Sequence, residues 1–295
     1  MAYIPIAAGL VAAFCWGTSD YLSRSQSAKL GYYKTVVYSN LVTLVLLVAL
    51  VPAVSPDVAL PAGPVLALAA AGVLNFVAFI LLYRAFHEGV VSVVAPIAYT
   101  YPAVTTVLSV AVLGTVVSSG QVLAIAGVIL GVLLLSTRFS ELRRSATRTS
   151  PAKLTTGAGW ALGSSVIFGS AYIGIGYAAP SVGLALPAIV LRVVAVSAGF
   201  LLAPALRQGV RPSRQTFSPI IVLMGALEAA GWLAFTGGIV SAGGSLPVVA
   251  AVAGMGGALA ASYGLVFLKE RLEPNQAAGV ALAVAGVFVL LYLGG

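Results

Sequence analysis

The chain is poor in the residue types on which disulfide bonding, metal binding and surface solvation depend. It has one cysteine, Cys15, and one histidine, and only 7% of its 295 residues are charged. A single cysteine excludes an internal disulfide and a cysteine-based metal site, and a lone histidine lacks convincing catalytic partners. With 60% hydrophobic residues, the chain has too few charges to cover a soluble domain of this size. The composition does not indicate an enzyme, and we expect no metal and no cofactor.

In place of these residues the chain has ten apolar stretches of about 18–24 residues. Each is long enough to cross a bilayer core of roughly 30 Å as a helix. The first has no basic residue ahead of it, which favours a true span over a cleavable signal peptide. We therefore predict an all-α integral membrane protein with ten transmembrane helices. The predicted spans are approximately 4–21, 33–51, 63–86, 91–114, 119–137, 157–177, 185–206, 219–241, 246–268 and 274–293.

Lysine and arginine are missing from the even-numbered connections and from both termini. Of the 15 basic residues all but Arg192 fall in odd-numbered connections, and five of these lie in residues 138–156. The positive-inside rule then makes the odd connections cytoplasmic and both termini periplasmic. The same rule explains the net charge of +8 without nucleic acid. These features predict a multi-pass protein of a bacterial-type inner (plasma) membrane.

The two halves of the chain repeat each other. The matching residues are Gln121 with Gln276 and Gly131 with Gly286 at a shift of 155, Trp16-Gly17 with Phe168-Gly169 at 152, and Gly72 and Asn75 with Gly225 and Glu228 at 153. Five spans in each half force the second half to cross the membrane in the opposite sense, as in the inverted repeats of many secondary transporters. We predict a first five-helix repeat at 1–137, a basic cytoplasmic linker at 138–156 and a second repeat at 157–295.

These motifs resemble the EamA-type pattern of the drug/metabolite transporter superfamily. The residues that carry the resemblance are Trp16-Gly17, Phe168-Gly169, Pro102, Leu113-Gly114, Gln121, Gly131, the run 268–272, Gln276 and Gly286. Two positions depart from it, since Thr115 replaces a Glu and Gly257 replaces a Pro. Within the superfamily the chain is most similar to the YddG-type aromatic amino acid exporters. The resemblance implies two EamA-like repeats and the export of a small metabolite.

Proline and glycine interrupt spans 4 and 9 at matching depth. A proline inside a helix frees a backbone carbonyl, and in lipid such a carbonyl must be buried in protein or line a cavity. We predict gating elements or helix kinks at these residues, with the neighbouring tyrosines lining a substrate site. The alternative is a packing kink at a helix crossing. The residues are Pro96 and Pro102, which flank Tyr99 and Tyr101, together with Gly254 and Gly257.

A polar residue and an aromatic residue share a helix face in spans 3 and 8. Asn75 precedes Phe79 by four residues, and Glu228 precedes Trp232 by the same interval. Such a pair suits an amphipathic zwitterion with an apolar side chain, because the ring provides stacking area and the polar group orients the head. Glu228 either lines the site, for a substrate ammonium or a proton, or only neutralises Arg192. The candidate substrate-binding residues are Trp16, Asn75, Phe79, Tyr99, Tyr101, Glu228 and Trp232.

The sequence and the resemblance together predict a secondary transporter that exports a small amphipathic metabolite by alternating access. Aromatic or other apolar amino acids are implied by the resemblance alone. The alternatives are an exporter of other amino acids or of cationic drugs and, more distantly, a lipid-modifying membrane enzyme. A channel is disfavoured because the midplane carries neither a ring of like charges nor a carbonyl filter. The expected partners are the small-molecule substrate and the bilayer, without nucleic acid, and a monomer is favoured.

Membrane orientation gives a first testable prediction. A tag at residue 146 should be labelled only from the cytoplasm, because the basic residues of 138–156 hold that segment inside, and terminal tags only from the periplasm. Impermeant reagents applied to intact cells and to inside-out vesicles measure both. Labelling of position 146 from the periplasm alone would contradict the orientation.

Overall fold

The computed structural model describes residues 3–54, 61–88, 91–148, 151–241, 245–259, 263 and 273–293. Within these ranges the regular structure is helical and contains no β-strand. The helices are α1 (Tyr3–Leu30), α2 (Tyr32–Val54), α3 (Ala62–Glu88), α4 (Val91–Ala98), α5 (Tyr101–Leu113), α6 (Ser119–Ser136), α7 (Phe139–Arg148), α8 (Pro151–Val182), α9 (Leu186–Leu202), α10 (Pro219–Val240), α11 (Leu246–Ala253) and α12 (Pro274–Leu293).

Seven helical segments are long and apolar enough to cross a membrane. They lie in α2, α3, α6, α8, α10 and α12 and in Pro96–Leu113, which contains α5. Two shorter apolar helices lie at Leu186–Leu202 and Leu246–Leu259, and α1 covers the predicted first span. The prediction of a multi-pass helical membrane protein is confirmed, while the count of ten spans and the inverted repeat stay predictions.

The first helix is longer than its apolar stretch predicts. It was expected to end near Tyr21 but continues to Leu30. Gly31 ends it with a left-handed backbone (φ 82°), and its N–H donates to the Ser27 carbonyl at 3.0 Å. Similarly, the predicted linker 138–156 contains α7 and the beginning of α8. Polar residues expected in the first connection therefore lie on a continuous helix.

The helix is interrupted in both of the predicted spans that contain proline or glycine at matching depth. Between α4 and α5 a turn at Tyr99–Thr100 interrupts the fourth span. The Thr100 hydroxyl donates to the Ile97 carbonyl at 2.7 Å and lies 2.8 Å from the Ser165 hydroxyl, which satisfies polar groups at the break. After α11 a turn at 254–255 precedes helical residues 256–259. The motif at 268–272 lies outside the described residues.

Helices α6 and α12 approach each other at small residues. A Cβ atom on Gly131 would lie 2.5 Å from the Ala283 nitrogen, and one on Gly286 would lie 3.0 Å from the Val128 nitrogen. The two contacts are repeat equivalents, because the shift of 155 maps Gly131 onto Gly286 and Val128 onto Ala283. Only small residues allow backbones to come this close within a helical membrane protein.

Other contacts between the two predicted repeats also occur in matched pairs. In each pair, adding the sequence shift of 152, 153 or 155 to a first-half residue gives its counterpart in the other contact. Each contact joins a residue of the first predicted repeat to a residue of the second. The pairs are Gly72 on Val194 with Gly225 on Val42, Gly169 on Val104 with Gly17 on Leu259, and Gly254 on Pro102 with Gly257 on Tyr99. The two halves of the chain are therefore in close contact at several matched positions.

The start of α12 is tied to the end of α6 and to α7. The Asn275 amide donates to the Thr137 carbonyl at 2.8 Å, and the Gln276 amide donates to the Leu135 carbonyl at 3.0 Å. The Ser140 hydroxyl and N–H both donate to the Glu273 carboxylate. These hydrogen bonds hold the pKa of the Glu273 carboxyl below its usual range.

Packing between α6 and α12 generates a second prediction. Gly131→Ala should lower the melting temperature, since the new Cβ would overlap the α12 backbone, at a cost of about 1–3 kcal/mol. The matched control is Gly127→Ala one turn earlier, where a Cβ meets only Leu282 at 3.9 Å. The control should be neutral or slightly stabilising, because alanine favours helix over glycine. Thermal unfolding in detergent measures both, and equal melting temperatures would contradict the close contact.

Candidate functional site

A cavity of about 600 Å³ lies near the middle of the helical bundle, within the range of small-molecule sites. All seven candidate substrate-binding residues line it, and so do Gly254 and Gly257. Pro96 and Pro102 are not among its lining residues, although Pro102 packs on Gly254. The structure thus brings together residues from four of the predicted spans, namely Trp16, Asn75, Phe79, Tyr99, Tyr101, Glu228 and Trp232.

Two aromatic pairs line the cavity. The ring centroids of Trp16 and Trp232 lie 5.2 Å apart, and those of Phe79 and Phe168 lie 4.9 Å apart with an interplanar angle of 88°. The two pairs are related by the predicted repeat, because the shift of 152 maps Trp16 onto Phe168 and the shift of 153 maps Phe79 onto Trp232. Tyr172 links them, since its ring lies 6.2 Å from Trp232 and the chain of rings continues through Tyr101 to Phe168. These rings form a wall suited to a flat or apolar group.

Three charged residues line the same cavity: Asp20, Arg192 and Glu228. Arg192 is 2% exposed, and its Nη1 donates to the Asn40 side-chain oxygen rather than to a carboxylate. Its guanidinium lies 5.0 Å from the centroid of the Trp232 ring. Among the contacts of the described residues, no ion pair within 4.0 Å joins Arg192 to Glu228. The interpretation that Glu228 only neutralises Arg192 therefore has no direct contact to support it.

Glu228 faces the cavity from α10. Its carboxylate lies toward the Ser19 hydroxyl and the Trp232 indole, yet the indole N–H meets no acceptor with hydrogen-bond geometry. Three further buried polar atoms of cavity residues also lack a partner in the described part of the chain: Trp16 Nε1, Asn75 Oδ1 and Arg192 Nε. Buried polar atoms are normally hydrogen-bonded, so this group of four is unusual.

The cavity is closed on one side by the largest apolar cluster of the structure. That cluster draws on the helix halves that lead to the termini and the even-numbered connections, including Leu68, Ile175, Leu191, Phe235 and Val249. On the opposite side the cavity continues along the second half of α1 to Tyr32, which is 43% exposed. Among the residues that the structure describes, the cavity is therefore open on the side of the odd-numbered connections and sealed on the other.

The sealed wall and the accessible wall correspond in sequence but differ in polarity. On the sealed side α8 contributes Tyr172, Ile175 and Ala179, all of which are buried in the apolar cluster. The shift of 152 maps these three onto Asp20, Ser23 and Ser27 of α1, which line the accessible side of the cavity. The two walls occupy equivalent positions of the predicted repeats. The wall on the sealed side is packed in the apolar cluster, whereas the wall on the accessible side is polar and lines open space.

Sequence reasoning missed several residues of the cavity. Tyr172 and Phe168 contribute rings, and Arg192 contributes a charge that the sequence interpretation treated chiefly as a partner for Glu228. A signal for Tyr172 was available, because it follows Phe168 by four residues and so shares its helix face. Arg192 gave a signal as well, since a lone intramembrane cation normally marks a functional interior.

An all-helical membrane protein with a central cavity of mixed aromatic and charged lining has the design expected of a small-molecule transporter. Residues 3–137 match the EamA-like transporter family. The match covers the first predicted repeat, agrees with the resemblance to the drug/metabolite transporter superfamily and is to a family of membrane transporters of small molecules.

Solved structures share the whole fold. Among 28 matching chains, one described only as "Crystal structure of protein" has a TM-score of 0.78 and 15% sequence identity. The alignment covers 100% of this chain and 99% of that chain, and at this identity it shows the fold alone. No curated protein matches the sequence.

Accessibility of the two walls gives a third prediction. In a Cys15→Ala background, Ser27→Cys should react with an impermeant thiol reagent roughly tenfold or more faster than Ala179→Cys, because buried cysteines are inert. The two positions are repeat equivalents of similar size, and Ala179 is fully buried. Reaction rates in membranes opened on both sides measure the difference. Equal rates would contradict a cavity sealed on one side.

Proposed function

We propose that this chain is a secondary transporter that exports a small amphipathic metabolite, with aromatic or other apolar amino acids as the substrate class. The observation that carries the proposal is the central cavity, where aromatic pairs and opposite charges line the same space. An apolar side chain has a stacking surface there, and a charged head has partners of both signs. The resemblance to aromatic amino acid exporters agrees with this chemistry.

Alternating access is the proposed mechanism, built on ten spans in two inverted repeats. The matched contacts between the repeats, such as Gly131 on Ala283 and Gly286 on Val128, support this arrangement. With both termini periplasmic, the accessible side of the cavity faces the cytoplasmic side of the inner membrane. A substrate then enters the cavity from the cytoplasm, which fits export.

A cationic drug is the rival substrate class, because Asp20 and Glu228 place two acids against the single Arg192. Aromatic rings beside carboxylates also suit organic cations. A zwitterion has a partner of opposite sign for each of its two charges, whereas a cation leaves Arg192 without an anion.

Counterflow in liposomes tests the proposal. Purified protein in vesicles preloaded with unlabelled L-phenylalanine should accumulate labelled L-phenylalanine, and unlabelled aromatic amino acids should compete better than organic cations such as tetraphenylphosphonium. Vesicles without protein provide the background. Accumulation driven only by the organic cation would favour the rival class, and no exchange with any amino acid would contradict the proposed substrate.

Removal of an aromatic ring gives a fourth prediction. Trp232→Ala should weaken substrate binding by about 1–3 kcal/mol, as deletion of a buried aromatic at a recognition site does. The matched control is Phe288→Ala on α12, where the ring is 66% exposed and away from the cavity. The control should transport normally. If Trp232→Ala also transports normally and folds in normal yield, the aromatic wall is only packing.

A further inference from the structure

The four buried polar atoms without partners belong to one surface. Trp16 Nε1, Trp232 Nε1 and Arg192 Nε are donors, Asn75 Oδ1 is an acceptor, and all four residues line the central cavity. Arg192 and Asn75 are each 2% exposed, and Trp232 is 3% exposed. Donors grouped in this way present a site for an anion, because an oxygen atom with several lone pairs accepts from more than one of them.

Arg192 is held in a fixed orientation. Its Nη1 donates to Asn40 on α2, and its Cζ atom lies 5.0 Å from the Trp232 ring centroid. Only Nη1 is anchored in this way, and Nε has no protein partner among the described residues. Arginine presents a planar fork of donors that matches the two oxygens of a carboxylate. An anchored fork loses little side-chain freedom when a carboxylate binds.

Glu228 provides the opposite charge without contacting that fork. The two groups influence each other electrostatically, yet no ion pair joins them within 4.0 Å. Asn40 and Trp232 hold Arg192, while Glu228 projects from α10 one helical turn before Trp232. Two opposite charges that line one cavity and do not meet leave room for a ligand that carries both charges.

We propose that Arg192 Nε, together with the indole N–H groups of Trp16 and Trp232, forms a carboxylate subsite, and that Glu228 with Asn75 Oδ1 forms an ammonium subsite. The ligand class is an α-amino acid zwitterion, held by both charges at once. This inference rests on the proposed function and deepens it, because it assigns Arg192 as the residue that distinguishes a zwitterion from an organic cation. A cation that fills the aromatic part of the cavity leaves the fork unpaired and binds more weakly.

The test uses three probes that share one ring but differ in charge: L-phenylalanine, L-phenylalaninamide, which lacks the carboxylate, and 3-phenylpropanoate, which lacks the ammonium. Each is measured as a competitor of labelled L-phenylalanine in counterflow by the full-length protein in liposomes. In the wild type, each truncated probe should compete about tenfold or more weakly than L-phenylalanine, since each loses a charge-assisted contact.

Two variants assign the subsites. Arg192→Gln should remove the preference for L-phenylalanine over its amide, and Glu228→Gln should remove the preference over 3-phenylpropanoate while the melting temperature stays near that of the wild type. Arg84→Gln is the matched control, because Arg84 stacks 4.3 Å from Trp160 and does not line this cavity. It should keep both preferences. If Arg192→Gln does not fold, Arg192→Lys keeps the charge without the fork and should lower the preference over the amide severalfold.

The outcomes separate the subsite from the proposed function. Competition by the amide equal to that by L-phenylalanine in the wild type would overturn the carboxylate subsite and leave amino acid transport standing. Equal weakening of all three probes in the Arg192 variants would also overturn it, since Arg192 would then be structural. If the wild type shows no counterflow of L-phenylalanine or of any other amino acid, the proposed function fails, and the subsite fails with it.

Discussion

Close approach of backbones between the two halves of the chain is the constraint on which this structure depends. Lipid is as apolar as leucine, so helices in a membrane gain little from hydrophobic burial and associate through van der Waals contact at small residues. Gly131 meets the backbone of α12, and Gly17 meets the Gly256 carbonyl near the cavity. Gly257 leaves room for the Tyr99 ring, where a Cβ would lie 2.5 Å away. The position of the aromatic wall follows from these contacts.

Much of the architecture could be predicted because hydropathy, charge and repetition are properties of single residues and their spacing. The breaks near Pro102 and Gly254 belong to this class. Gln121 and Gln276, which the predicted repeat pairs, have the same local role. Each occupies the third position of its helix, where its side chain accepts the N–H of the residue three positions earlier. A helix start needs such a residue at a fixed offset, so the motif is visible in sequence.

Helix ends and tertiary partners could not be predicted in the same way. Hydropathy falls after Tyr21, but α1 continues to Leu30, where the hydroxyls of Ser23 and Ser25 find acceptors in their own helix and Gln26 is buried against Ser218. The hydrogen-bond partner of Arg192 was equally hidden. Its Nη1 donates to Asn40 and not to the carboxylate of Glu228. Sequence spacing gives the depth of a side chain but not the neighbour it meets.

The unequal polarity of the two matched walls has an energetic consequence for an alternating-access cycle. Ile175 and Ala179 exclude water without the loss of any hydrogen bond, whereas Ser23 and Ser27 at the equivalent positions would have to be dehydrated when that side closes. In the proposed cycle the two end states are therefore not isoenergetic, although the predicted repeats that build them correspond. Closing the polar wall costs a dehydration that closing the apolar wall does not, and in that cycle the bound substrate has to offset the cost.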